Sequence, residues 1–163
     1  MTIDMLDAAP ESAAAERPRR EFLTFRLGDE SYGVDILKVQ EIRDIDGVTR
    51  VPHVPPYLRG VVNLRGAIVP IVDLGLMLGF TEPLPLARAS AIVLNAEGRL
   101  TGLVVASVSD VIALSEDEIH PAPELGEHRA VTAAIAGIGV RDGASLMLLD
   151  VERLLARIRE ERT

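Results

Sequence analysis

Residues 59–74 read Arg-Gly-Val-Val-Asn-Leu-Arg-Gly-Ala-Ile-Val-Pro-Ile-Val-Asp-Leu. Two runs rich in Val, Leu and Ile flank Arg65-Gly66, the pattern of two strands joined by a tight turn. Asp73 stands where a helix N-cap belongs, accepting backbone N–H bonds for a short helix over Leu74–Leu78 that Gly79 ends. The stretch is a hairpin feeding one capped turn of helix. Just upstream, Val51–Pro56 (VPHVPP) is excluded as a central strand, because its three prolines remove ladder donors.

Toward the N-terminus, Phe22–Leu27 mixes aromatic and β-branched residues in partial alternation, Gly28-Asp29 signals a turn, and Ser31–Ile36 supplies a second short strand. Ile36–Ile42 reads as one helical turn followed by a strand. Residues 1–20 lack apolar periodicity and are expected to be a disordered tail, with order beginning at Glu21. Toward the C-terminus the plan recurs. A shift of 69 places Leu23 on Ile92, Phe25 on Leu94, Gly33 on Gly102, Ile36 on Val105, Val39 on Val108 and Ile42 on Val111. After an eight-residue lengthening, a shift of 77 places Gly60 on Gly137, Gly66 on Gly143, Ala67 on Ala144, Asp73 on Asp150 and Leu78 on Leu155. Matching glycines imply matching turns, and matching aspartates imply matching caps.

The expected fold is therefore mainly β: one domain over 21–163, a pseudo-repeat of two small β-barrels at about 22–80 and 90–156, joined by Thr81–Leu86. At about 60 residues each, such barrels are marginal alone and should share a core. Asp150 caps a last helix, Val151–Arg162, whose Val151, Leu154, Leu155 and Ile158 form an apolar face expected to dock on its own domain.

The chain has 163 residues, 17 Lys plus Arg against 25 Asp plus Glu, and a net charge of −8. That balance argues against a protein built to coat nucleic acid phosphates. Five aromatic residues (Phe22, Phe25, Tyr32, Tyr57, Phe80) leave few platforms for base stacking. The absence of Cys removes disulfides, thiolate metal sites and Cys nucleophiles together. The longest apolar runs fall far short of the ~20 residues of a spanning helix, and Met1–Arg20 has no signal-peptide core. A cytoplasmic protein is expected.

Catalytic equipment is sparse. His120 and His128 flank Glu124 in a loop-like stretch, but the spacing puts no two ligands on one helical face. His53 lies among prolines. No Gly-x-Ser-x-Gly elbow occurs. Gly137–Gly143 resembles a phosphate loop only superficially, because no Lys-Ser/Thr follows. Neither a catalytic residue, a metal nor a cofactor is assigned. A small-ligand-binding or hydrolytic β-barrel is a weaker alternative, requiring a polar pocket with convergent titratable groups.

Charge is more specific. Arg50–Val72 contains Arg50, Arg59 and Arg65 and no acid, whereas Leu100–His128 contains Asp110, Glu116, Asp117, Glu118, Glu124 and Glu127 and no Arg or Lys. Segregated patches of this kind steer protein partners and fix register. Arg65, at a hairpin tip over Val61, Val62, Leu64 and Ile68, presents a guanidinium suited to bidentate contacts.

Phe22–Arg26, Gly33–Arg43 and above all Arg59–Leu74, with its N-L-R-G-x-I-V-P-I-V-D-L string, closely resemble the CheW family of chemotaxis coupling proteins. The likeness runs from about Glu21 to Leu155 and implies two intertwined five-stranded SH3-like β-barrels. It also implies a non-catalytic adaptor, cytoplasmic and recruited to membrane-associated chemoreceptor arrays. Its partners would be the cytoplasmic tips of methyl-accepting chemoreceptors, the CheW-like regulatory domain of the CheA histidine kinase, and other CheW copies in array rings. By that resemblance Arg65, Val39, Glu41, Val108 and Val111 are receptor-binding residues, while Ile42, Arg43, Asp44 and Gly60 face the kinase. The same chemistry in a non-flagellar pathway, pilus-based or developmental, is the alternative. One departure stands out: many relatives carry a basic residue after Val-Asp-Leu, where this chain has Gly75.

Overall fold

The computed structural model describes residues 19–122 and 134–162. The first repeat forms β1 (Arg19–Leu27), β2 (Glu30–Asp35), β3 (Val39–Asp44), β4 (Leu58–Leu64) and β5 (Ala67–Asp73), closed by α1 (Leu74–Met77). The second forms β6 (Ser90–Ala96), β7 (Arg99–Val105), β8 (Ser107–Ser115), the two-residue β9 (Ile119–His120), β10 (Ile135–Arg141) and β11 (Ala144–Leu149), closed by α2 (Val151–Arg162). The shift of 77 maps Leu58–Leu64 onto Ile135–Arg141, so the repeat read from sequence is a repeat of strands.

Each barrel, however, draws on both repeats. One sheet runs β3-β6-β7-β5-β4 and the other β8-β1-β2-β11-β10-β9. The opening hairpin of each repeat has left its own half: β1-β2 sits between β8 and β11, and β6-β7 sits between β3 and β5. The two barrels are thus intertwined, each completed by the opening hairpin of the other repeat. Parallel joints make the exchange, β5 beside β7 (Ile71 opposite Gly102) and β11 beside β2 (Met147 opposite Tyr32). The physical reason is burial. Phe25 and Leu94, repeat mates on the exchanged hairpins, are both fully buried in one core shared with Leu74, Val151 and Leu154. Neither half can bury its own apolar face without the other.

Closure of the first barrel depends on Gly60. Behind β3 the chain returns to β4, where Thr49 and Val61 exchange two backbone hydrogen bonds of 2.8 Å. Gly60 has φ 146°, and a Cβ there would run into the Thr49 carbonyl oxygen. Its mate Gly137 repeats the approach, with the His120 carbonyl 2.8 Å from a Cβ position. Gly60→Ala should therefore lose about 2–3 kcal/mol of stability, since both the backbone region and the contact reject a side chain. Chemical denaturation reads that loss directly; an unchanged midpoint would refute it.

Three details differ from expectation or extend it. Strand β1 begins at Arg19 rather than Glu21, because Arg19 and Arg20 pair with Ser115 and Leu114. Residues 1–18 lie outside the described residues, as do Glu124, Glu127 and His128. The C-terminal helix docks as expected, with Val151, Leu154, Leu155 and Ile158 all buried. Glu116–Glu118 is a 3-10 turn, and Glu118 Oε1 accepts from the Ser115 N–H at 2.9 Å and its hydroxyl at 3.2 Å.

Candidate protein-docking site

The β4-β5 tip is a two-residue turn in which Arg65 and Gly66 both have positive φ, 52° and 89°. Asn63 fixes it, its Oδ1 accepting the Gly66 N–H at 2.9 Å. Such turns favour Asn-Gly or Asp-Gly, and the equivalent tip of the second repeat is Asp142-Gly143. A long side chain at Arg65 is therefore not what the turn alone selects. Its guanidinium donates to Glu41 Oε2 at 2.6 Å, although 71% of the side chain remains exposed.

Glu41 comes from β3, at the opposite edge of the same sheet. Closing the sheet into a barrel brings β3 back to β4, and the ion pair spans that seam. Arg43 approaches the other Glu41 oxygen at 3.6 Å, so one carboxylate serves two guanidiniums. The hydrogen bond from Arg65, with the charges of Arg65 and Arg43, holds the Glu41 carboxyl below its usual value of 4.5. A depressed carboxylate pKa means the pair is complete above the unfolded value and is lost only as pH falls through the folded one. A carboxyl-detected NMR titration should place the Glu41 midpoint below 4.5, and Arg65→Asn should move it upward. A midpoint indifferent to Arg65 would contradict the pairing.

The other residues singled out from sequence fall into three environments. Val39 and Val108 lie half-buried against the shared core, opposite Leu94 and Phe25 respectively. Ile42 and Val111 are repeat mates and are equally exposed, at 46% each, one on β3 and one on β8. Arg43 and Asp44 continue the exposed outer strand beyond Ile42. Gly60 is buried and serves the backbone closure described above. The structure thus joins Arg65 to Glu41 directly and places Val111 in the other sheet.

The basic element needs one correction. Arg59 does not face solvent as a steering charge; its Nη1 donates to Asp73 Oδ2 at 3.2 Å and to the Leu84 carbonyl at 2.8 Å. Asp73 is wholly buried and also accepts the N–H groups of Leu76 at 3.1 Å and Leu84 at 2.8 Å. The expected helix cap is present, and it also pins the linker between the repeats. Asp150 caps α2 through the Arg153 N–H at 3.0 Å but is partly exposed, so the buried pair belongs to the first repeat alone.

The CheW-like domain family matches residues 21–159. This chain belongs to the CheW family. A chemotaxis protein CheW from Klebsiella aerogenes is 44% identical over 149 residues, covering 91% of this chain and 89% of that protein. A probable chemotaxis protein CheW from Rhizobium etli is 37% identical, covering 87% and 91%. Among solved structures, the scaffolding protein TtCheW from Thermoanaerobacter tengcongensis superimposes with a TM-score of 0.75 at 29% identity, covering 82% of this chain and 90% of that one. Two SH3-like barrels are thus the architecture of this CheW-family chain.

The departure at Gly75 has a structural counterpart. Gly75 is buried, and a Cβ there would lie 3.3 Å from both the Phe80 ring and Asp73 Oδ1. The Phe80 ring also covers Gly28, 3.4 Å from its Cβ position. In this CheW-family chain the Phe80 ring closes over both Gly75 and Gly28.

Proposed function

We propose that this chain is a non-catalytic adaptor that couples the cytoplasmic tips of chemoreceptors to a CheA histidine kinase. Family membership supports the chemotaxis role. The observation that carries the adaptor reading is the Arg65–Glu41 pair, an exposed guanidinium held at a rigid turn whose backbone favours a shorter residue. A partner carboxylate that replaces Glu41 finds Arg65 already oriented, so little ordering entropy is lost on binding. Val39, Glu41, Val108 and Val111 complete the receptor side, and Ile42, Arg43 and Asp44 face the kinase. Gly60 contributes to the kinase side by shaping the segment behind β3. The protein works in the cytoplasm at membrane-associated arrays, where many weak contacts act together.

Coupling here means linkage: one body binds two partners, and a bias at one contact alters the free energy of the other. The test is reconstitution of a chemoreceptor fragment, the kinase and this chain. Kinase activity should respond to the receptor only when the chain is present. A kinase equally responsive without it would overturn the proposal. Co-purification of the bound kinase and receptor distinguishes a flagellar from a non-flagellar pathway.

A further inference from the structure

The β4-β5 turn has a counterpart at the same end of the same sheet. Asn95-Ala96-Glu97-Gly98 repeats the form of Asn63-Leu64-Arg65-Gly66: Asn95 Oδ1 accepts the Gly98 N–H at 3.1 Å, and Glu97 and Gly98 have φ of 54° and 81°. Asn95 also donates through Nδ2 to Gln40 Oε1 at 3.0 Å, which ties this turn to β3. Both turns hold a long charged side chain where Asn, Asp or Gly fits with less strain, as Asp142-Gly143 does in the second repeat. Strands β5 and β7 are parallel neighbours with Ile71 opposite Gly102. Counting back along them sets Ile68 level with Arg99 and brings the two turns side by side. Ile68, 64% exposed, lies just behind both.

Charges of both signs stand at this end, and they are separated in place. On the β4-β5 side, Arg65 and Arg43 share the one carboxylate of Glu41. On the β6-β7 side, Lys38 is engaged by Glu152, so Glu97 reaches it only through its field and makes no ion pair among the described residues. Arg99, exposed beside Ile68, likewise makes none among them. A guanidinium on one tip and an unpaired carboxylate on the next thus flank an exposed apolar side chain. Such a surface complements itself. With a two-fold axis set at Ile68, Arg65 of each copy faces Glu97 of the other, and the two Ile68 side chains meet. On a chain of net charge −8, two copies repel at long range, so association requires local matching of this kind.

We infer that two copies of this chain associate through this end, Arg65 against Glu97 in both directions around Ile68. Releasing Arg65 from Glu41 leaves that carboxylate with Arg43, so the exchange strands no charge. The patch is small, which makes the association weak, concentration-dependent and screened by salt. One consequence rests on the adaptor reading above: a self-associated copy has Arg65 occupied and is withheld from the receptor.

The test is sedimentation equilibrium of the full-length chain over about a hundred-fold range of concentration, at low and at high salt. Wild type should shift from monomer toward dimer as concentration rises, and less so at high salt. Arg65→Glu and Glu97→Arg should each weaken association by about ten-fold or more, and the double variant should restore most of it. The variants should fold, because each new side chain already occupies the same turn at the other position, and melting curves verify it. A chain monomeric throughout, single variants that associate like wild type, or a double variant that stays monomeric would each overturn the inference. Glu97→Arg should also keep receptor and kinase binding; loss of either gives this tip to that partner and overturns the inference. Failure of a chemoreceptor fragment to bind wild type removes the adaptor reading and leaves the association, measured on the chain alone, standing.

Discussion

The Arg65→Glu variant is expected to lose chemoreceptor binding by a hundred-fold or more while keeping its fold and most of its kinase binding. The substitution puts a carboxylate beside Glu41, whose own acid already fills the seam between β3 and β4. An incoming partner acid would then meet two like charges instead of a guanidinium fork. The fold should survive because the side chain is 71% exposed and the turn is fixed independently by Asn63. Arg65→Asn separates the two effects. Asn suits positive φ, so the turn should be at least as well formed, while the guanidinium is gone. A pull-down in which both variants retain the receptor would remove Arg65 from the interface.

The largest stability effect is expected at Arg59. Arg59→Ala leaves Asp73 buried with two backbone N–H donors but no countercharge, and should cost about 3–5 kcal/mol. For a chain of this length the melting temperature should fall by roughly 10 °C. The loss reaches beyond one pair. Asp73 holds β5, α1 and the Leu84 linker at one point, so its disturbance loosens the joint where the exchanged hairpins meet. The double variant Arg59→Leu, Asp73→Asn should recover part of the loss, because no charge is then left buried. Equal destabilisation in the single and double variants would show that Arg59 acts by packing alone.

Local chemistry made much of this legible. Gly66 and Gly143 mark turns because each has positive φ, and Asp73 and Asp150 mark helix starts because a carboxylate satisfies orphan N–H groups. What could not be read was the inward turn of Arg59, which looked like a surface charge beside Arg50 and Arg65. Its partner lies 14 residues away, and nothing in the local pattern says that Asp73 is wholly buried. Val39 and Val108 are similarly ambiguous, since an apolar residue near the start of a strand suits a docking surface as well as a core edge.

By itself, then, the sequence determined the elements, their caps and turns, their repetition, and the family to which they belong. Those properties depend on contacts a few residues apart, where side-chain type dictates backbone geometry. Only the tertiary structure decided which hairpin completes which barrel, that Arg65 meets Glu41 across a closed seam, and that Gly60 makes that closure possible. Each of these depends on residues distant in sequence that share a burial requirement. The chain's periodicity announces that requirement without naming the partner that meets it.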